Sequence, residues 1–521
     1  MGGFGMAGQL AAGVWHRLYA RAIYLRDPKG TELVLVSCDL PFFPGALGNK
    51  VAELVGRQSP SLSREQLLFC ATHTPHGPGN FSTSAITNTL GSPRPGYDPV
   101  LFEFLVNRLA KAVLAAQSSA EAAQLSYAEA PLGGISMNRS LRAFLQNPES
   151  QDILKENESL DLGGPVPCPP LEAYHAVDPT LAVIRAVRAQ DPKHTIALLG
   201  FFAVHPSSLG PPLPLYDSDL FGVASTLIEQ ELARSQGVGD DGVAAFINGA
   251  EGDLVTTAPR QDREDLEALG GKLAQGVLAL AGSPAPRPLL GNLAYSCASY
   301  EFPNPPEPLI GAAALGGTED GRTMLYDLGW REYLRSGPRQ AVAGQGTKRD
   351  PLDSLQFPAP TLGRAEQIQQ VLPSLPDHAW IGVYRIGSDL MLATLPGEFT
   401  TTMGRRIRRA LEGLPAAGAP RPKVLLVGMA NEDAGTFTTP EEHDVQAASG
   451  ASMAYGREAA ASILGFLTQR ANPPASEVPR KDPLKFSYTP GPATYFGIQT
   501  IRLGDGEALL SGVPRESFVY R

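Results

Sequence analysis

Cysteine is scarce in this chain: four residues in 521, at positions 38, 70, 168 and 297, form no C-x-x-C pair. Cys38 and Cys70 lie inside apolar, strand-like runs, where a buried free thiol is the expected state. A basic surplus is also missing. The formal net charge is −10, which excludes a nucleic-acid binder, because neutralising phosphates takes an excess of Lys and Arg. Long hydrophobic runs are absent too. The longest, near Val34–Val36 and Ala197–Val204, fall far short of the ~20 residues of a membrane span. The chain opens Met1-Gly2-Gly3-Phe4-Gly5, without a basic start leading into an apolar stretch. It carries no repeat of fixed period, no sustained heptads and no block of like charge. Composition leaves the compartment open.

What is present suits a globular enzyme. Apolar residues make up 43% of the chain and charged residues 18%, enough for one large domain or two moderate ones. Strands are predicted at Glu32–Asp39 and Gln66–Thr72, with helical spacing over Ala46–Arg57 between them. A long helix is predicted over Pro99–Gln117, where Leu101, Leu105, Leu109 and Val113 recur every four residues. Further strands are expected at Leu181–Val187, Ile196–Val204, Val243–Asn248, Trp380–Ile386, Leu390–Leu395 and Val424–Met429. Helices are expected at Asp219–Ala233, Asp262–Ala281, Phe399–Leu411 and Met453–Leu467. The fold class is α/β, with mixed β-sheets flanked by helices and strands too irregularly ordered for a simple doubly wound sheet. Gln146–Pro170, Pro303–Pro308 and Ser336–Pro360 read as long surface loops. Asn472-Pro473-Pro474-Ala475 reads as a linker, dividing a main domain (1–470) from a short tail (471–521) with strand-like runs such as Ile498–Leu503.

Three places share one design, an apolar strand running into a metal-capable side chain beside a Pro- or Gly-marked turn. They are Ala71-Thr72-His73-Thr74-Pro75-His76-Gly77-Pro78-Gly79, Phe202-Ala203-Val204-His205-Pro206, and Leu395-Pro396-Gly397-Glu398-Phe399-Thr400. Rigid strands aim side chains while loops leave room for substrate. Two His and one Glu are a usual ligand set for a catalytic zinc. Each alone has an ordinary reading: a hydrogen-bonded histidine at a strand end, or a carboxylate favoured by a helix start.

From about Gly3 to Leu467 the chain resembles the neutral, non-lysosomal ceramidases. The resemblance is carried, in order, by Arg17-Leu18-Tyr19-Ala20-Arg21-Ala22, Val36-Ser37-Cys38-Asp39, Ala71-Thr72-His73-Thr74 with Gly77-Pro78-Gly79, and Met137-Asn138-Arg139-Ser140 with Asn147-Pro148. Next come Phe202-Ala203-Val204-His205, Glu251-Gly252-Asp253, Gly317-Thr318-Glu319-Asp320-Gly321, Pro396-Gly397-Glu398-Phe399-Thr400 and Thr438-Thr439-Pro440-Glu441-Glu442. The resemblance implies a zinc-dependent amidohydrolase that cleaves ceramide or a related N-acyl lipid, with a metal-activated water attacking the amide carbonyl. By position it makes His73, His205 and Glu398 zinc ligands. Arg139 would orient a polar group of the substrate, its ordinary alternative being a structural ion pair.

The chain departs from the family pattern inside the site. Pro75 replaces the second histidine of the first motif, and His76 follows one place later, as a catalytic candidate. Val255 stands where the family has a catalytic serine, so a hydroxyl is expected from Thr256 or Thr257. The family's fourth ligand, a tyrosine, falls at Thr436, with Asp433 and His443 as nearby replacements; three protein ligands are the alternative. Family members often carry a secretion signal and a C-terminal immunoglobulin-like domain, and here the latter is reduced to the tail. The partner implied is a lipid-like N-acyl substrate, with transient contact at a membrane surface allowed. Two other readings stay open: a hydrolase of a different N-acyl amide or ester, and a non-catalytic lipid-binding relative.

Overall fold

The computed structural model describes residues 1–472 apart from 6–7, 95, 165, 167–169, 238–241, 303–308, 318–325, 327–329, 334, 336–341, 351–374 and 415–420. The expected tail, much of the Gly317–Gly321 motif and the strand at Ile498–Leu503 lie outside the described residues. In chain order the first elements are β1 (Ala20–Arg26), β2 (Glu32–Cys38), α1 (Gly45–Gln58), β3 (Leu67–Ala71), α2 (Pro99–Ser118), β4 (Ala123–Pro131), β5 (Ser136–Asn138) and α3 (Ser150–Glu156). Then follow β6 (Thr180–Arg188), β7 (Asp191–Phe202), α4 (Asp219–Gln236), β8 (Val243–Asn248), β9 (Leu254–Thr256), α5 (Arg263–Ala281) and β10 (Leu293–Glu301). The last are β11 (His378–Ile386), β12 (Leu390–Thr394), β13 (Glu398–Phe399), α6 (Thr401–Glu412), β14 (Lys423–Val427), β15 (Thr436–Phe437), α7 (Pro440–Val445) and α8 (Ala459–Ala471).

Three sheets organise these elements. One has the order β1-β2-β3, one β8-β7-β6-β4 with Arg287–Pro288 at its edge, and one β10-β11-β12-β14. Each mixes parallel and antiparallel pairs: β2 with β3, β7 with β8, and β12 with β14 are parallel. The mixed α/β reading therefore holds. Strand alternation explains the layering. In β2, Leu33 and Leu35 face an inner core shared with Ile184, Phe201, Ile247, Leu392 and Val427 of the other two sheets. Val34 and Val36 face outward onto Leu47 and Val51 of α1 and Leu105 and Leu109 of α2. In the same way α4 and α5 cover the five-stranded sheet, and α6 and α8 cover the four-stranded one. Strands buried on both faces read as unbroken apolar runs, which is why β2, β3, β7 and β14 stand out in the sequence.

Some expectations are corrected. The stretch from 146 to 170 is not one loop, since α3 lies within it. The final helix starts at Ala459, not Met453, because Gly456 adopts φ +90° just before it. Cys38 and Cys70 are buried free thiols. Among the described residues, no helix is long and apolar enough to cross a membrane.

One buried ion pair fixes α6 to the segment preceding β6: Arg408 Nη2 donates to Asp178 Oδ2 at 2.6 Å. Burial alone would raise the Asp178 carboxyl, but Arg408 outweighs it and holds it at about 2. The folded value lies below the unfolded one, so the pair stabilises fully above about pH 4, and its contribution is lost as the pH falls through about 2. Asp178→Asn is expected to cost about 2 kcal/mol at pH 7. Denaturant midpoints measured at pH 7 and pH 3 should show that gap narrowing in acid.

Candidate metal centre

The carboxyl ends of β3, β7, β8, β12 and β14 come together, and the chain turns there carry the functional side chains. His73 follows β3, His205 follows β7, and Glu398 opens β13 just after β12. One potential ligand atom from each of His73, His205 and Glu398 lies within 4.8 Å of the others. His205 Nε2 is 3.2 Å from Glu398 Oε2, and His73 Nε2 is 3.5 Å from Oε1. The three side chains are 12%, 20% and 16% exposed for His205, Glu398 and His73, so the cluster is reachable from solvent.

The far side of each imidazole is fixed by backbone. His73 Nδ1 sits 2.5 Å from Pro41 O. His205 Nδ1 lies 2.8 Å from both Glu251 O and Leu254 O. Carbonyl oxygens only accept, so each Nδ1 carries a proton, and each ring turns its Nε2 toward the carboxylate, where it can serve a metal. Burial and the nearby Arg139 lower the His205 pKa to about 4, which keeps the ring neutral. Burial would raise Glu398, but its surroundings of His73, His205 and Arg139 hold it well below the usual carboxylate range. Two imidazole Nε2 atoms and a carboxylate thus converge on one point. That donor set fits a zinc ion, with the Nδ1 partners supplying the outer hydrogen bonds a ligating histidine needs.

Backbone strain marks the same place. His73 has φ +71°, Met429 +49° and Asn431 +62°, all left-handed without being glycine. The turn after β14 is pinned by Asn431, whose Oδ1 accepts from Phe69 N at 3.2 Å and from Arg64 Nη2 at 3.1 Å. It carries Asp433, whose carboxyl is raised to about 6 by burial and then by the charge of Glu398.

The turn Glu251–Leu254 touches His205, Arg139 and the turn carrying Glu398. Besides the two carbonyls on His205, Gly252 O accepts from Arg139 Nη2 at 3.2 Å, and Gly252 N donates to Phe399 O at 2.8 Å. A Cβ at Gly252 would stand 2.9 Å from Glu398 O, so only glycine lets the two turns approach. Asp253 Oδ1 accepts from Thr401 N at 2.7 Å, and Oδ2 from Asn138 Nδ2 at 2.7 Å. The Glu251 side chain is fully buried with neither oxygen hydrogen-bonded among the described residues, and burial raises its pKa well above the ordinary value.

The other predicted residues are placed as follows. Arg139 Nη2 lies 3.3 Å from His205 Nε2, at the centre's edge. His76 is corrected: the turn at Thr74–Gly77 carries its ring away from the cluster. There it packs edge-on against Phe4, with Nε2 3.3 Å from Gly210 O. Thr256 is corrected as well. Val255 bridges His205, and alternation along β9 sends Thr256 to the opposite face, where its buried hydroxyl finds no partner. Thr257 donates its hydroxyl to Gly134 O. Thr436 pairs in register with Glu398. His443 stands outside the ligand cluster, because the last turn of α7 buries its ring beside Lys348 and Asp444. Of the three candidates for a fourth ligand, Asp433 is the one that feels the charges of Glu398 and His73, while its Oδ1 accepts from Gly435 N at 3.1 Å. Sequence reasoning assigned no role to Asp253 or to the carbonyls of 251 and 254; the Glu251-Gly252-Asp253 motif was their only signal.

Comparison with known proteins agrees with this architecture. Residues 1–262 and 298–464 match the family described as neutral/alkaline non-lysosomal ceramidase, N-terminal. Neutral ceramidase A of Dictyostelium discoideum is 25% identical, over 88% of this chain and 68% of the relative. The neutral ceramidase of Pseudomonas aeruginosa is 28% identical, over 88% and 67%. That of Mycobacterium tuberculosis is 26% identical, over 87% and 71%. The chain thus spans about two thirds of the length of these relatives. A solved ceramidase complexed with C2 superposes with a TM-score of 0.72 at 25% identity, covering 90% of this chain and 72% of the other. The crystal structure of the P. aeruginosa neutral ceramidase gives a TM-score of 0.69 at 24% identity, with the same coverage. The chain belongs to the neutral/alkaline non-lysosomal ceramidase family.

Proposed function

We propose that this chain is a zinc-dependent amidohydrolase that cleaves the amide bond of ceramide or a related N-acyl lipid, releasing a fatty acid and a free amine. The observation that carries the reading is the convergence of His73, His205 and Glu398, with both imidazole tautomers set by backbone carbonyls. Zinc held there supplies Lewis-acid polarisation of a carbonyl and a lowered pKa for water. Glu398 contributes the negative charge of the ligand set, and Asp433 is the favoured fourth ligand. Arg139 reaches the centre's edge with its guanidinium, where an N–H can donate to the oxygen on which charge develops. Its placement next to a metal ligand, with no carboxylate among its hydrogen-bond partners in the described residues, favours this role over a structural ion pair.

A second reading, hydrolysis of a different N-acyl amide or an ester, is favoured by one feature. Val255, not a hydroxyl residue, stands beside His205. Fatty-acid release from short-chain ceramide, short N-acyl amides and acyl esters, each with and without a zinc chelator, separates the readings. Chelator-sensitive ceramide cleavage is the expected result. Chelator-sensitive cleavage of the others alone would move the substrate, and no cleavage of any would leave the lipid-binding relative.

A further inference from the structure

Glu398 is followed by three threonines, Thr400, Thr401 and Thr402, which are 2%, 1% and 0% exposed. Each meets a different buried partner. Thr400 Oγ1 donates to Glu442 Oε2 at 2.5 Å. Thr401 donates its N–H and hydroxyl to Asp253 Oδ1 at 2.7 and 2.8 Å. Thr402 Oγ1 accepts from Asn147 Nδ2 at 3.2 Å.

The local rule is broken here. Thr400 is the N-cap of α6, a position whose hydroxyl ordinarily accepts from the helix's own backbone, yet it makes no such bond. Its hydroxyl is turned instead to a carboxylate 42 residues away in sequence. Glu442 is itself held from several sides. Its Oε1 accepts from Asn147 Nδ2 at 2.7 Å, its Oε2 from Thr439 N at 3.1 Å, and Thr439 Oγ1 closes the ring on Asn147 Oδ1 at 2.7 Å. Outside this ring Arg406 spans Glu149 and Glu441. The bridge therefore joins the chain carrying Arg139, which runs on to Asn147, to the turn carrying Glu398. Departures from local rules that are compensated by distant partners gather at functional sites.

We infer that Glu442, acting through the Thr400 hydroxyl, is a positioning residue that holds Glu398 in the metal centre. The inference rests on the proposed metal site but not on the identity of the substrate. Full-length Thr400→Val and Thr400→Ser variants test it, with Co2+ as the metal probe. Valine keeps the shape and the Thr439–Glu442–Asn147 ring while removing only the tie to the Glu398 turn; serine restores the hydroxyl. Thr400→Val should bind Co2+ about 10–100-fold more weakly and lower kcat with little change in KM, and Thr400→Ser should recover both. Parent-like Co2+ affinity and kcat in Thr400→Val, with only a lower Tm, would overturn it. Should Thr400→Val not fold, Thr400→Ala serves instead, since it removes the same hydroxyl without a new polar group; parent-like Co2+ affinity there would overturn it equally. If the wild type binds Co2+ but cleaves no amide, the functional reading fails, and the affinity comparison still decides the positioning role.

Discussion

Glu398→Gln should abolish metal retention and reduce amide hydrolysis by about a thousandfold or more while leaving the fold at least as stable. The activity figure follows from removing several kcal/mol of metal-derived charge stabilisation, at about 1.4 kcal/mol per factor of ten. The stability expectation comes from the hydrogen-bond pattern. His73 and His205 both turn Nε2 toward the carboxylate, because Pro41 O, Glu251 O and Leu254 O hold the Nδ1 protons. A glutamine amide N–H can donate to the Nε2 of a neutral ring, so the imidazoles keep a partner in the metal-free variant and a buried negative charge is removed. The variant should show a Tm equal to or above that of the metal-free parent, together with loss of zinc by elemental analysis. Stabilisation bought at the expense of function is the signature of a site built for a ligand. A sharp fall in Tm with zinc still bound would mean that Glu398 is structural.

Asp253→Asn should behave in the opposite way, losing stability and activity together. Both carboxylate oxygens face donors: Thr401 N and Oγ1 on one side, Asn138 Nδ2 on the other. Asparagine must point its NH2 at one of them, leaving a buried donor without an acceptor, at a cost of about 1–3 kcal/mol. Because Asn138 precedes Arg139 and Thr401 follows Glu398 by three residues, the same change releases both sides of the centre. Activity is expected to drop about 10–100-fold, the usual range for residues that orient metal ligands. Denaturant unfolding and steady-state kinetics on one preparation check both halves. Full activity with lowered stability would separate Asp253 from the centre.

The legibility of this molecule follows burial. Strands β2, β3, β8 and β14, and the second half of β7, are largely apolar because both faces are covered, and their positions are readable from sequence. Strands β1, β4 and β10 escape notice: their sequences ARAIYLR, AQLSYAEAP and LAYSCASYE mix polar residues with apolar ones, since part of each strand is exposed. At the site, His73, His205 and Glu398 could be named because each follows a strand at a Pro- or Gly-marked turn. His76 and Thr256 misled for a local reason, as one residue's shift in a turn or strand reverses where a side chain goes. The carbonyl contacts that set the tautomers, and the left-handed backbone of His73, Met429 and Asn431, have no side-chain signature. They belong to the way the turns meet, which only the fold discloses.

The most direct test of the account is the zinc content of the purified protein, wild type beside His205→Ala, with fatty-acid release from a short-chain ceramide measured on the same samples. About one zinc per wild-type chain is expected, held by the one three-donor centre found among the described residues. Metal and hydrolysis should disappear together in the variant. Ceramide hydrolysis that persists in His205→Ala, or a wild-type protein that takes up no zinc, would contradict it.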